Sequence, residues 1–256
     1  MTRLATWNVN SLNVRLPHLL DWLASQQVDI VALQETKLED GKFPHAAIEA
    51  AGFHAVFSGQ KTYNGVALLA RSEIREVVCG NPHFPDAQKR LIAATIDGVR
   101  VICAYFPNGQ EIGSDKYAYK LEWLTALTAW LREERATHER LVLCGDFNIA
   151  PDDRDVHNPK LWVGKILCSD AERAAFRALL DLGLKDAFRL FEQPDGSFSW
   201  WDYRMLGFQK NHGLRIDHIL LSEPLAKACT AAGIDRAPRK WERPSDHAPV
   251  WAAFDS

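Results

Sequence analysis

The chain has no C-x-x-C pair, no Gly/Ser/Pro-rich linker, no block of like charge and no short-period repeat. Its five cysteines, Cys79, Cys103, Cys144, Cys168 and Cys229, are odd in number and scattered, mostly in apolar company. They read as reduced core residues of a cytoplasmic protein, which excludes a disulfide framework and a cysteine zinc site. No serine or cysteine stands in a nucleophile-elbow context, so covalent acyl transfer is poorly supported. No long apolar run suggests a membrane span, and a strand begins within a few residues of Met1, so no targeting segment is expected. Without a linker or a shift in composition, residues 1–256 are expected to form one domain.

What is present is ordinary in bulk and unusual in pattern. Hydrophobic residues make up 47% and charged residues 25%, as in globular proteins, and the formal net charge is −3. That sum does not advertise a nucleic-acid binder, although carboxylates gathered around a metal can mask a basic rim. The pattern is that apolar strands run into polar residues. Leu141-Val142-Leu143-Cys144-Gly145-Asp146-Phe147-Asn148 is the plainest case, halted by Pro151. If it stays extended, Asp146 and Asn148 share one face with Phe147 behind them. Asp and Asn also cap turns, so the tetrapeptide alone leaves two readings open.

The same design recurs. Asn8 and Asn10 close the first strand, Glu35 closes Val28–Gln34, Asp217 lies inside Leu214–Leu221, and Asp246-His247 precede the last strand. Between these, Leu16, Leu19, Leu20 and Leu23 are spaced as a helix packed on a sheet. A long helix is expected over Ser114–Glu134, and Ser169-Asp170-Ala171-Glu172 is a capping-box start. Asp97-Gly98 marks a type I′ hairpin, and the polar stretch Asp152–Cys168 an excursion over the surface.

Glu35, Asp246 and nearby amides are oxygen donors, the ligand set of a hard cation such as Mg²⁺, with Mn²⁺ as an alternative. An Asp217 carboxylate on His247 would fix its tautomer and favour the charged ring. A cation with Asp, Asn and His suits phosphodiester hydrolysis, with Asp146 aligning or deprotonating water and His247 stabilising the crowded anion. A lone His–Asp pair is more often structural, so the reading depends on the other strand ends converging.

W-N-V-N-S (7–11), L-Q-E-T-K (33–37), G-V-A-L-L-A-R (65–71), G-D-F-N-I-A-P (145–151), F-S-W-W-D-Y-R (198–204), L-R-I-D-H-I-L (214–220) and P-S-D-H-A-P-V (244–250), in this order, resemble the exonuclease III family of apurinic/apyrimidinic endonucleases. That family lies within the endonuclease/exonuclease/phosphatase superfamily, and Asn10 and Leu214 resemble its bacterial type.

The resemblance implies a four-layered α/β sandwich of two mixed sheets. It makes Glu35 the main Mg²⁺ ligand, with Asn8, Asn10 and Asp246 around it. Asp146 would activate water and Asn148 orient it, while Tyr105 meets the phosphate or the leaving oxygen. Trp200, Leu214 and Ile216 would wall a pocket for a baseless sugar, and Lys61, Tyr63, Arg90 and Asn108 would touch the DNA backbone. Arg204 would lie where such enzymes wedge the duplex. His218, where the bacterial type has an apolar residue, should point away from the face of Asp217.

The function so implied is incision of double-stranded DNA 5′ to abasic sites by a monomer, with 3′-phosphatase, 3′-phosphodiesterase and 3′→5′ exonuclease activity on blocked 3′ ends. Alternatives are another phosphoesterase of the superfamily, such as an inositol phosphatase or sphingomyelinase-like enzyme, or a DNA-binding module that has lost catalysis.

Overall fold

A computed structural model describes residues 1–255. The strands run in chain order as β1 (Thr2–Asn8), β2 (Ile30–Gln34), β3 (His54–Ser58), β4 (Val66–Ala70), β5 (Ile74–Cys79), β6 (Leu91–Ile96) and β7 (Val99–Tyr105). They continue as β8 (Leu141–Asp146), β9 (Leu184–Asp186), β10 (Trp200–Trp201), β11 (Gly213–Leu214), β12 (Asp217–Ser222), β13 (Cys229–Ile234) and β14 (Val250–Phe254). The helices are α1 (Leu12–Ser25), α2 (His45–Ala50), α3 (Asp115–Thr137), α4 (Pro159–Trp162), α5 (Asp170–Leu180) and α6 (Glu223–Ala228).

Two six-stranded mixed sheets face each other, ordered β13-β14-β1-β2-β4-β3 and β5-β6-β7-β8-β12-β9. Side-chain alternation explains why they pack in layers. Ile30 and Ala32 of β2 meet Val101 and Cys103 of β7 and Val142 and Cys144 of β8 between the sheets. Their neighbours Val31 and Leu33 turn outward to α1 and α2, and Ile102, Leu141 and Leu143 turn outward to α3 and α5. The result is the expected four-layered α/β sandwich.

Each sheet holds one parallel pair joined by a helix, β1-α1-β2 and β7-α3-β8, and every other pairing within the two sheets is antiparallel. Parallel strands point their C-terminal ends the same way, so residues 8–10, 35, 105–108 and 146–148 emerge together at one edge of the sandwich. The sheets do not divide the chain into halves: β14, from the far end, pairs with β1.

Two local expectations hold. The hairpin at Asp97-Gly98 has positive φ at both residues, 48° and 73°, with Ile96 opposite Val99. Ser169 and Glu172 form the reciprocal capping box of α5. Among the described residues no helix is long and apolar enough to cross a membrane.

Others are corrected. Leu214–Leu221 is not one strand, because Leu214 pairs with Trp200 on the small β10-β11 ribbon whereas Asp217 pairs with Asp146 on β8. The chain passes from one ladder to another at Arg215-Ile216. Residues 152–168 are not merely a surface excursion, since Val156, Leu167 and Cys168 are buried and Asp155 is ion-paired with Arg215 and Arg189. Arg215 also binds Asp186, so its removal would leave the buried Asp186 carboxylate unpaired and Asp155 with Arg189 alone, at a cost of about 3–5 kcal/mol. Cys79 is exposed on an edge strand, unlike Cys103 and Cys144.

Candidate active site

Asp146 ends β8 and is buried. Gly145 before it is required by proximity as much as by bending, since a Cβ there would lie 1.8 Å from the carbonyl oxygen of Ala104 on β7. Asn148 does not reach the site by strand alternation. Its φ is +49°, and its backbone N–H donates to Asp146 Oδ1 at 2.9 Å, an Asx turn that brings the amide back beside the carboxylate. Asn148 Nδ2 then donates to Asp146 Oδ2 (3.3 Å) and to the Phe106 carbonyl (3.1 Å), while Oδ1 accepts from Asn108 Nδ2 (3.1 Å). Asn10 repeats the device, with φ +43° and its backbone N–H donating to Asn8 Oδ1 at 3.0 Å.

Asn8 joins the sheets. Its single amide nitrogen donates to Glu35 Oε1 and to Asp146 Oδ2, both at 2.9 Å. On the far side of Asp146 lies His247, whose Nδ1 is 2.9 Å from Asp217 Oδ2 and whose Nε2 is 3.7 Å from Asp146 Oδ2. Three contacts fix that geometry. Ser199 Oγ donates to Asp217 Oδ2 (2.6 Å), Trp7 Nε1 donates to the His247 carbonyl (3.2 Å), and Ser245 Oγ donates to the Asn8 carbonyl (2.7 Å).

Charge follows from this packing. Burial would lower the His247 pKa, but the flanking carboxylates of Asp217 and Asp146 outweigh it and raise it to about 10, so the ring is an imidazolium at neutral pH. Burial drives Asp146 the other way, up to about 7, against the attraction of His247. Burial and the neighbouring Glu35 and Asp146 carboxylates hold the Tyr105 phenol well above its ordinary range. Burial would raise the Glu35 pKa, yet Lys37 and the Asn8 amide bring it below the usual value.

Lys37 is a site residue the motif reading passed over, although it stands two places after Glu35 in L-Q-E-T-K. Its Nζ sits 2.8 Å from Glu35 Oε2 and 2.6 Å from Asn10 Oδ1. A cation held between a carboxylate and an amide oxygen is the pattern that suits a hard metal ion, so Glu35 and Asn10 fit that role. Asp246 accepts from Asn10 Nδ2 at one oxygen and from Trp200 Nε1 at the other, each at 2.9 Å, which aims the Asn10 amide and leaves each oxygen a further lone pair. Asp146, Asp217 and His247 also have potential ligand atoms within 4.8 Å of one another. That trio could hold a metal only if His247 lost its proton, so the Glu35 side is the better seat.

A cleft of about 540 Å³ opens beside Glu35, lined among others by Lys37, Tyr63, Arg90, Tyr105 and Asn108. The Arg90 guanidinium lies 4.8 Å from the centre of the Tyr105 ring. Lys61 is exposed on the loop that carries Tyr63. Arg204 does not line this cleft; it is paired with Asp202 at 2.8 Å. Trp200, Leu214 and Ile216 do come together, but with Val156, Leu167 and Ala150 in a packed cluster in which Leu214 and Ile216 are fully buried. His218 points to the opposite side from Asp217, between Arg215 and the Ile149 carbonyl.

Comparison with known proteins shows the family and the fold. Residues 5–247 match the model of the endonuclease/exonuclease/phosphatase family. The chain is 40% identical to exodeoxyribonuclease III of Haemophilus influenzae, over 97% of this chain and 98% of that protein. The structure of the 3′ phosphatase NExo from Neisseria bound to a product DNA hairpin superposes with a TM-score of 0.98 at 50% identity, covering all of both chains. That of an AP endonuclease from Archaeoglobus fulgidus gives 0.96 at 40%, again over both whole chains.

Proposed function

The chain belongs to the endonuclease/exonuclease/phosphatase family, and within it we propose a hydrolytic nuclease of DNA repair that acts on double-stranded DNA as a cytoplasmic monomer. Its reaction is hydrolysis of the phosphodiester 5′ to an abasic site, leaving a 3′-hydroxyl and a 5′-deoxyribose phosphate. Removal of 3′-phosphates, 3′-phosphodiesters and 3′-terminal nucleotides is the same displacement at phosphorus with a different group attached. The observation that carries the reading is the row Asp217–His247–Asp146–Asn8–Glu35, which sets a buried base and an imidazolium beside an ionised carboxylate.

Within that row the roles divide by protonation. His247 is already charged, with Nδ1–H donated to Asp217, so it has no free lone pair and acts as a donor to a phosphate oxygen through Nε2–H. Asp146, with its pKa near neutrality, is the group able to take the proton of the attacking water, while Asn148 holds that water in line. As the bond to the 3′ oxygen breaks, the protonated Tyr105 phenol donates to the phosphate or to the leaving oxygen. Glu35 and Asn10 would hold a Mg²⁺ or Mn²⁺ ion, which when bound withdraws charge from the phosphoryl group. Arg90, Lys61, Tyr63 and Asn108 bind the DNA backbone.

One observation favours a second weighting, in which 3′-end processing outruns abasic incision. The wall formed by Trp200, Leu214 and Ile216 is packed shut by its own neighbours, leaving an extruded sugar little room. Assaying an abasic duplex, a 3′-phosphate duplex and a recessed 3′ end side by side separates the two. Failure to hydrolyse all three in the presence of Mg²⁺ would overturn the reading as a nuclease, and hydrolysis of an inositol phosphate instead would favour another branch of the superfamily.

A further inference from the structure

Lys120 on α3 and Glu172 on α5 are both completely buried, yet neither belongs to the row described above. The ammonium is 2.5 Å from Glu172 Oε1 and also donates to the main-chain carbonyls of Asn148 (2.7 Å) and Asn108 (3.2 Å). Its three protons are thereby used. Among the described backbone bonds neither carbonyl receives an N–H, because both residues lie in turns beyond the ends of β7 and β8. A buried orphan carbonyl is costly, and Lys120 is the donor these turns lack.

The loop is shaped to it. Gly109 has φ +87°, and a Cβ there would lie 3.1 Å from Lys120 Cδ, so the glycine lets residues 108–109 lie flat on the lysine stem. If the only requirement were adhesion between α3 and α5, an apolar pair would serve as well as a buried ion pair. A cation is needed because carbonyl oxygens must be gripped. Asn108 and Asn148 are thus tied twice, by their side chains above and by one ammonium below.

We propose that Lys120 is a positioning residue for hydrolysis, its ammonium locking the backbones of Asn108 and Asn148 so that their amides meet over the phosphate, with Glu172 as its neutralising partner. The proposal rests on the reading that Asn148 orients the attacking water. It separates two roles that a buried ion pair normally confounds: loss of either charge weakens the α3–α5 contact, but only loss of the ammonium frees the two carbonyls.

Steady-state kinetics on a 3′-phosphate duplex with Mg²⁺, for the full chain and for Lys120→Met, Glu172→Gln, the double variant and Asn148→Ala, tests this. Both single variants should melt earlier. At a temperature where circular dichroism shows every protein folded, Lys120→Met should lose ~30–100-fold in kcat with KM changed less than ~3-fold, the scale of a misplaced catalytic group. Glu172→Gln, which keeps an oxygen acceptor, should stay within ~5-fold on that same scale.

If Lys120→Met does not fold, the double variant, which leaves no unpaired charge, should show the same loss in kcat. Equal losses in the two single variants, a change confined to KM, or an active double variant would each overturn the proposal. Wild-type rates in Asn148→Ala would instead remove the reading of Asn148 itself, and the two failures are therefore distinguishable.

Discussion

The Glu35 side of the site and the Asp146 side are built by the same device and differ in charge. Each stands at the C-terminal mouth of a parallel strand pair joined by a helix, and each uses an asparagine at positive φ, Asn10 or Asn148, to bring an amide back beside a carboxylate. On the first side Glu35 is partly exposed, held below its usual pKa and paired with the ammonium of Lys37. On the second, Asp146 is buried, raised to about 7 and faced by an imidazolium that Asp217 sustains to about 10. In the proposed mechanism one side holds a cation and the other moves a proton. The backbone solution is shared, and burial together with the neighbouring charge decides the chemistry.

The comparison breaks most sharply by removing the proton-handling groups. Asp146→Asn or His247→Ala should cut turnover ~10³-fold or more while DNA affinity, read by anisotropy, changes only a few-fold, because each acts mainly in the transition state. Near wild-type rates in either would take that residue out of the mechanism. Glu35→Gln should fail differently. Its activity should be recovered in large part by raising Mg²⁺ or Mn²⁺, with the concentration for half-maximal rate up ~10-fold or more, as for loss of a metal ligand. Chelation should abolish wild-type activity and divalent ions restore it. If Asp146→Asn shifted the metal requirement as much as Glu35→Gln, the division of labour would be wrong.

Acidity gives a smaller and graded test. Asp146 must be ionised to accept a proton, so kcat/KM should fall tenfold per pH unit below about 7. His247 must keep its proton, so activity should fall again only near pH 10. Glu35, held low, stays ionised across this range and contributes no limb. A flat profile between pH 5 and 7 would exclude Asp146 as the base.

These assignments differ in how far they were visible in the residues. Polar groups ending apolar strands are conspicuous, and Val142 and Cys144 alternating with Leu141 and Leu143 already imply a strand covered on both faces. The convergence of Glu35, Asp146 and His247 follows from that pattern with the family motifs. The turns at Asn10 and Asn148 do not, because the sign of φ leaves no trace in hydrophobic periodicity, although asparagine is the residue best suited to it. Edge strands β5, β9 and β13 leave little trace in the sequence for a related reason: they are short, bulged or rich in small and charged residues, and only their partners make them strands. Asp155 resembles a surface residue in sequence because burial of a carboxylate depends on Arg215, sixty residues away, and Lys37 carries no signal of its own because its partners lie on two different loops.

The smallest effect expected concerns neither half of the site but the apolar wall beside it. Leu214 and Ile216 are held from behind by Arg215, whose ion pairs with Asp155 and Asp186 keep the segment from moving, so the wall cannot open without losing buried contacts. Leu214→Ala removes side-chain volume there without touching Asp146 or His247. It should lower stability by about 2–5 kcal/mol, as other truncations of buried leucine do, and leave 3′-phosphate removal nearly unchanged below the melting range. Abasic incision should rise relative to it by ~3–10-fold, the scale on which a few methylenes discriminate in an apolar pocket. An unchanged ratio of the two activities, measured on duplexes of the same sequence, would mean that the sugar is received elsewhere and that this cluster is core alone.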